Sequence, residues 1–327
     1  MDDSRDPVES AADGRLDLYE IADWEERTSV DGAAVALYWL LIRAAKWVVV
    51  AVALGILAGI GGLAALSDPA VGLLTVLSAI PAAALTVYVY YSDVTTREPL
   101  SLLVTTFLLS ILLATFAALV NSYAQRFFEP LGVLGMPLFF FLIVGPGEET
   151  VKLLAVRLYA YTDDRFDAVV DGAVYGAIAG LGFATIENSI YILQRLSESG
   201  ALAELSFGLT AITTGGDITA LRALAGPGHV IYSATAGYYL GLAKFNPDNR
   251  GPIVVKGLLL ATVIHATYNT TVGPGSYLVS SLTGLPDLGG FLVYVLLYDG
   301  VFGFFILRKL WRYRHAYNET GAAAVDA

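Results

Sequence analysis

Apolar stretches of about 20 residues recur along most of the chain, separated by shorter polar segments. A helix that crosses a bilayer needs about 20 mostly apolar residues, so each stretch is long enough to span. Eight stretches qualify: 47–66, 70–91, 102–120, 134–161, 169–193, 226–245, 253–272 and 289–307. The pattern therefore predicts an all-α, polytopic membrane protein with about eight transmembrane helices.

Composition narrows the class of protein further. Hydrophobic residues make up 56% of the 327-residue chain and charged residues only 15%, against about 25% charged residues in an ordinary soluble domain. No cysteine is present, which excludes a disulfide scaffold, a thiol protease and a zinc site with cysteine ligands. The net charge of −11 argues against a nucleic-acid partner, which would need a basic surface. The environment that the composition predicts is the lipid bilayer.

Most of the negative charge lies at the N-terminus. Residues 1–31 contain eleven acidic residues and three arginines, and they lack the apolar segment of a signal peptide. Such a composition is typical of a solvated, disordered tail. We predict three regions: an acidic cytoplasmic tail at 1–45, a transmembrane domain at 46–310 and a short cytoplasmic tail at 311–327.

The 19 lysines and arginines are distributed unevenly between the two sides of the membrane. If the N-terminus is cytoplasmic, fifteen of them fall in cytoplasmic segments or adjoining span ends. The outer segments then hold only Arg126, Arg195 and Arg222, and Lys152 lies within a span. Because cytoplasmic loops are enriched in basic residues, this distribution predicts a multi-pass cell-membrane protein with both termini in the cytoplasm.

The fourth span contains a charged segment, Gly145-Pro146-Gly147-Glu148-Glu149-Thr150-Val151-Lys152. Charges at this depth are costly and mark functional sites. We expect the Gly-Pro-Gly sequence to break the helix and both glutamates to lie in the first turn of a half-helix. Lys152 shares their face and can neutralise one of them, which leaves the other as a general base. The competing interpretation is an ion-paired contact between helices.

The fifth span carries a second set of polar residues. Its glycines at 172, 176 and 180 are four apart, a spacing that lets helices approach closely. Glu187 has no cation within one turn, so we expect its partner to come from another helix. For Asp171, at the start of the span, we predict a capping or positioning role.

Two histidines also lie at membrane depth. His229 follows a second Gly-Pro-Gly, which we expect to begin another half-helix. His265 and Asn269 are four residues apart and share one helix face. The competing interpretation is that both histidines are hydrogen-bonded core residues. For Asp299, in the last span, we expect a tyrosine partner or a place in a cavity wall.

Four motifs lie in order on separate spans and cover about residues 100–310. They are Glu148-Glu149-x-x-Lys152, Phe183-x-x-x-Glu187-Asn188, His229 and His265-x-x-x-Asn269. Together they resemble the PrsW family of intramembrane proteases, which is related to the type II CAAX prenyl proteases and to bacteriocin-processing enzymes. The chain departs from the CAAX pattern, which has His where Glu187 stands and Arg one position beyond Lys152.

The resemblance implies an intramembrane endopeptidase that cleaves membrane-anchored protein substrates such as anti-sigma factors. It implies a set of catalytic residues, namely Glu148, Glu149, Glu187, His229, His265 and Asn269. It also implies three supporting residues: Lys152, Asn188 and Phe183.

Two mechanisms fit these residues. The mechanism that the sequence favours needs no metal. In it, Glu148 activates water, assisted by Glu187 or His229. His265 and Asn269 donate hydrogen bonds to the oxyanion. The alternative is a zinc site, with its ligands drawn from a set of four candidates: Glu148, Glu187, His229 and His265. No H-E-x-x-H sequence is present to demand a metal.

The estimated depths of these residues in the membrane do not agree with one another. At about 1.5 Å per residue, Glu148 lies about 14 Å from Arg157, whereas Glu187 lies about 24 Å from Asp171. Tilted helices would have to absorb about 10 Å for these groups to share one site, which we expect in the outer half of the membrane.

Two other classes of function remain open. An ion-coupled transporter also uses broken helices around charged residues at the midplane, but no inverted repeat is visible in this sequence. The other alternative is a catalytically inactive membrane scaffold with the same fold.

Overall fold

The computed structural model describes residues 16–20, 24–59, 67–95 and 97–320. This part of the chain is built from helices and their connections and contains no extended β-strand. Its α-helices, α1 to α9 in chain order, are Ser29–Gly59, Pro69–Tyr90, Leu100–Phe128, Gly135–Phe139, Gly145–Arg157, Val169–Glu198, Leu209–Lys244, Arg250–Thr283 and Asp287–Glu319. A π-helical turn, Phe140–Val144, joins α4 to α5. Short 3-10 turns lie at Glu129–Leu134, Ala160–Thr162, Ala201–Glu204 and Pro247–Asn249.

Five helical segments are long and apolar enough to cross a membrane. They are Pro69–Tyr90, Leu100–Thr162, Val169–Glu198, Pro247–Thr283 and Asp287–Glu319. The segment Leu100–Thr162 holds the third and fourth predicted spans. The prediction of an all-α polytopic membrane protein is therefore confirmed.

The other two of the eight predicted spans meet the structure differently. The first overlaps a shorter apolar helical stretch, Trp47–Gly59, and its remainder, 60–66, lies outside the described residues. The sixth falls within α7, which is not one of the five apolar segments. The number eight stays a prediction.

The two Gly-Pro-Gly sequences do not act as we predicted. At Gly145 the chain changes from the π turn to the α-helix α5, and Val144 keeps helical backbone angles. At Gly226–Gly228 the predicted break is wrong, because α7 runs unbroken from Leu209 to Lys244 with Pro227 inside it. Proline is tolerated inside such helices when neighbouring groups and local adjustments satisfy the freed backbone atoms. His229 therefore lies within a long helix and does not begin one.

The helix α6 lies at the centre of the bundle. Of its most apolar 18-residue window, 78% is buried, against 28–39% in the other four apolar segments. Its glycine face packs directly on α7: a Cβ at Gly172 would overlap the carbonyl oxygen of Gly237, and one at Gly176 that of Ser233. The predicted close approach of helices at these glycines is confirmed.

The described residues up to Val52 belong to a separate compact unit. Much of the predicted acidic tail, 1–15 and 21–23, lies outside the described residues. Within the described part, the carboxylate of Asp31 accepts hydrogen bonds of 2.7 Å from both the backbone N and Oγ1 of Thr28. Arg27 pairs with Asp17 at 2.6 Å. The helix that begins at Ser29 therefore has a local cap.

The α6–α7 contact predicts the effect of a single methyl group. We expect Gly176→Ala to destabilise the protein by about 1–3 kcal/mol, because the backbones must separate to admit the new Cβ. The measurement is the thermal unfolding temperature of the purified protein in detergent. The control is Gly216→Ala in α7, where a Cβ would have nothing within 4 Å. Equal behaviour of the two variants would contradict the proposed tight contact.

Candidate active site

A buried ion pair anchors the glutamates of α5. The Nζ of Lys152 lies 2.7 Å from Oε1 of Glu149, and both side chains are fully buried. The same Nζ lies 3.9 Å from Oε2 of Glu148 and 4.2 Å from the ring centre of Phe183. The prediction that Lys152 neutralises one of the two glutamates is confirmed, and that glutamate is Glu149.

Glu149 also sets the orientation of His265. The Nδ1 of His265 lies 2.8 Å from Oε1 of Glu149. A carboxylate that is paired with lysine accepts hydrogen bonds, so Nδ1 carries a proton; with a single proton on the ring, Nε2 keeps its lone pair. That Nε2 lies 3.7 Å from Oε2 of Glu148. The ring of Tyr232 stacks on His265 at 5.2 Å between centroids.

Glu148 has one occupied and one free oxygen. The side-chain amide of Asn121, on α3, donates a 3.0 Å hydrogen bond to Oε1 of Glu148. The other oxygen, Oε2, is buried and has no hydrogen-bond partner. Such an atom is costly unless something else binds it. Glu148 therefore offers a free acceptor toward His265.

His229 is held at both ring nitrogens. Its Nδ1 lies 3.0 Å from the Nζ of Lys152, and its Nε2 lies 3.0 Å from Oε2 of Glu187. Since an ammonium can only donate, Nδ1 accepts from Lys152 and Nε2–H donates to Glu187. The ring of Phe183 packs against His229 at 5.3 Å.

Glu187 receives two partners from α7. One is His229 and the other is Arg222, whose guanidinium pairs with the same carboxylate oxygen. The Nε of Arg222 donates a 2.8 Å hydrogen bond to Oδ1 of Asn188, whose amide in turn donates to Oγ of Ser78 at 3.0 Å. The prediction that Glu187 is paired from another helix is confirmed.

Three side chains come close enough to hold one metal ion. Glu148, His229 and His265 each offer an oxygen or nitrogen atom, and these atoms lie within 4.8 Å of one another. One glutamate and two histidines form an acceptable set of three zinc ligands. Glu187, also a candidate from the sequence, is not part of this group.

The same residues line one cavity of about 660 Å³. Glu148, Glu187, His229, His265 and Asn269 all contribute to its wall. The Asn269 side chain makes no hydrogen bond to the rest of the described chain. The structure therefore brings the predicted residues of four helices to a single place, although their catalytic roles stay predictions.

Comparison with known proteins identifies the family of this chain. The model of one family, described as PrsW family intramembrane metalloprotease, matches residues 98–301. The chain belongs to this family. Its relatives include Protease PrsW of Geobacillus kaustophilus, 33% identical over 58% of this chain and 75% of that protein. Protease PrsW of Shouchella clausii is 31% identical over 58% of this chain and 78% of that protein. No solved structure matches the chain.

The family membership makes this chain a membrane-embedded protease. All the residues singled out by the four motifs lie inside the part that matches the PrsW family. The expectation of an all-α enzyme of this family is confirmed, and the catalytic type is a separate question.

The structure adds residues to the PrsW site that the sequence did not reveal. Arg222 was assigned to an outer connection, yet it lies on α7 and pairs with Glu187. Asn121 falls just beyond the third predicted span, yet it donates to Glu148. Ser233, one turn from His229, donates to Oε2 of Glu149 at 3.5 Å.

Two further acids fulfil their predicted roles. Asp171 accepts hydrogen bonds of 2.8 Å each from the backbone amides of Asp167 and Ala168, so it caps the start of α6. Asp299 accepts a 3.2 Å hydrogen bond from the phenol of Tyr232, which is the tyrosine partner we expected.

The Lys152–Glu149 pair predicts a pattern of stability. We expect Lys152→Met to destabilise the PrsW fold by about 3–5 kcal/mol, because Glu149 is left as an uncompensated buried charge. Adding Glu149→Gln should restore part of this loss. The measurement is the yield of folded, monodisperse protein and its unfolding temperature.

The control is Lys256→Met, which removes an exposed lysine and should have little effect. If the double variant Glu149→Gln/Lys152→Met is no more stable than Lys152→Met alone, the pair is not what compensates Glu149.

Proposed function

We propose that this chain is a zinc-dependent intramembrane endopeptidase, in which Glu148, His229 and His265 hold the metal. The observation that carries the proposal is the pair formed by Oε2 of Glu148 and Nε2 of His265. Both are acceptor atoms, they lie 3.7 Å apart, and neither has a hydrogen-bond donor among the described residues. Two facing acceptor atoms favour a cation between them, in addition to Lys152, whose Nζ lies 3.9 Å from Oε2 of Glu148.

The contacts around His265 support this proposal. A histidine that binds a metal commonly donates its other N–H to a carboxylate, which fixes the tautomer and orients the ring. Glu149 does this for His265 at 2.8 Å. Lys152 pairs with the same carboxylate oxygen at 2.7 Å, which holds Glu149 in place beside His265.

His229 would be the third ligand. Its Nδ1 lone pair is directed at the ammonium of Lys152, so a bound metal would take the place of that contact. Glu187 would still hold the ring through Nε2–H. Lys152 would then form its ion pair with Glu149 and no longer donate to His229.

Each group of the chain has a task in hydrolysis under this proposal. A zinc ion held by Glu148, His229 and His265 would supply a Lewis acid for the hydrolysis. Asn121 fixes the Glu148 carboxylate, Glu149 orients His265, and Arg222 and Glu187 orient His229. The unpaired amide of Asn269 lies in the cavity wall, where it can donate to the oxygen of the cleaved carbonyl.

The metal-free mechanism meets a difficulty at His265. A donor to the oxyanion must carry a proton on Nε2, whereas the bond to Glu149 places the proton of the neutral ring on Nδ1. Glu148 as a general base on water remains compatible with the geometry. The description of the family as metalloproteases also favours the version with zinc.

The substrate we propose is a protein segment that enters from the membrane. The site lies among helices apolar enough to span, which suits a membrane-tethered substrate, and the family resemblance supports the anti-sigma-factor type. The distribution of basic residues supports an orientation with both termini in the cytoplasm.

The proposal predicts the behaviour of three variants in one assay. A single-span membrane protein with a tag at each end is incubated with the purified protein in proteoliposomes. We expect cleavage to fall by about 100-fold or more in Glu148→Gln and His265→Ala, since each loses a ligand. Glu204→Gln, which alters an exposed glutamate outside the cavity, should cleave normally. Mass spectrometry should find about one zinc per wild-type chain and much less in His265→Ala.

A chelator separates the two mechanisms. With zinc bound by the site, cleavage should stop in chelator and return when zinc is added back. Cleavage that persists in a metal-free preparation but is lost in Glu148→Gln would favour the glutamate mechanism. Zinc-free protein that cleaves nothing but moves ions would support the transporter, and a wholly inert protein the scaffold.

A further inference from the structure

A second group of carboxylates lies away from the candidate active site. Asp93 follows α2, Glu98 precedes α3, and Asp171 lies in the first turn of α6. Their carboxylate oxygens come within 4.8 Å of one another. Asp171 and Glu187 are sixteen residues apart on α6, which is about 24 Å along the helix. The group therefore belongs to one end of the bundle and not to the protease cavity.

One oxygen of each carboxylate is bound by the protein. Oδ1 of Asp93 accepts from the backbone N and Oγ1 of Thr95 at 2.9 and 2.8 Å. Oδ2 of Asp171 accepts from two backbone amides at the start of α6. Oε2 of Glu98 accepts from the phenol of Tyr175. These bonds hold the three carboxylates in fixed orientations.

The other oxygen of each carboxylate accepts no hydrogen bond from a donor group, although the carboxyl groups of Glu98 and Asp171 lie close enough to share a proton. Oδ2 of Asp93, Oε1 of Glu98 and Oδ1 of Asp171 are all buried and lack a hydrogen-bond partner. Glu98 is only 4% exposed and Asp171 is 0% exposed. Within the described part of the chain, no lysine or arginine forms an ion pair with any of the three carboxylates. Lys244, at the same end of the bundle, is bound to three backbone carbonyl oxygens.

Unpaired buried carboxylates in such proximity require a positive charge or a proton. We propose that Asp93, Glu98 and Asp171 form a binding site for a hard divalent cation of the calcium and magnesium class. A set of oxygen ligands alone is typical of calcium and magnesium and not of zinc. Water would complete the coordination sphere, since Asp93 is only half-buried.

The site would join separate parts of the fold. Two ligands come from the connection between α2 and α3, and the third comes from the central helix α6. The ion would bind the folded protein only, so it would stabilise that connection against local opening. This role does not depend on the proposed zinc chemistry.

A proton is the competing occupant. Burial raises the pKa of Glu98 to about 9, so Glu98 would hold a proton when no cation is bound. If a proton is the occupant of the site, calcium does not change the stability of the protein. Stability would instead fall as the pH rises from the ordinary range of a glutamate toward 9, because folding then requires Glu98 to keep its proton.

The experiment uses the full-length protein in detergent and two readouts. Terbium, a luminescent substitute for calcium, should show emission sensitised by the nearby Tyr175, and calcium should displace it. The unfolding temperature should rise by about 3–10 °C as calcium saturates the site.

The test variant is Asp93→Asn, which keeps Oδ1 as an acceptor for Thr95 but removes the charge. We expect it to lose both the terbium signal and the shift in unfolding temperature, while cleavage and zinc content stay at wild-type values. The matched control is Asp164→Asn, an exposed aspartate at the same end of the bundle, which should respond to calcium like the wild type.

Two results would overturn the proposal. One is an equal response to calcium in Asp93→Asn and Asp164→Asn. The other is a wild-type protein that no divalent cation stabilises, whose stability follows pH alone and that becomes more stable in Asp93→Asn. Either would assign the cluster to a shared proton. Neither result depends on whether the protein cleaves its substrate.

Discussion

One lysine connects the helices that form the candidate active site. The ammonium of Lys152, on α5, binds Glu149 on its own helix and His229 on α7. Through Glu149 it also fixes His265 on α8. Charges at membrane depth are costly unless they are paired, so each of these side chains has few alternatives to the arrangement seen. The requirement to compensate buried charge thus determines the geometry of the site.

The central helix α6 supplies the frame for this network. Its glycine face brings α7 to backbone contact, which places His229 and Arg222 beside Glu187. The opposite end of α6 carries Asp171 among the other unpaired carboxylates. A single helix therefore holds acidic groups at two depths, each with its own kind of compensation: basic side chains at one and, as proposed, a bound cation at the other.

Much of the site could be predicted from the sequence because charged residues are costly and therefore rare within membrane-spanning segments. Helix spacing alone predicted that Lys152 pairs with one of the two glutamates and that Glu187 needs a partner from another helix. Arg222 was missed because we expected a half-helix to begin at the second Gly-Pro-Gly, which left Arg222 in an outer connection. Once α7 is continuous, Arg222 and His229 are seven residues apart and share a face. The depth estimate was uncertain for a related reason: hydropathy locates span ends only approximately, and α7 and α8 extend well beyond the predicted spans.

Asn121 shows a different limit. It lies one residue past a predicted span, where a polar side chain is ordinary, and nothing in the local pattern indicates that α3 continues to Phe128. Its importance comes from a contact with Glu148 across 27 positions of the chain. Such a contact depends on how the helices pack and cannot be read from either segment alone.

The π turn at Phe140–Val144 has a consequence for how the chain is aligned with others. Because a π turn accommodates one residue more than an α turn, it rotates everything after it by about 100° around the helix axis. The direction of Glu148 and Glu149 is therefore set upstream of the glutamates themselves. An alignment with a relative that has an ordinary α-helical turn here needs a one-residue gap within residues 140–144. Without that gap, each glutamate would be compared with a position about 100° away around the helix.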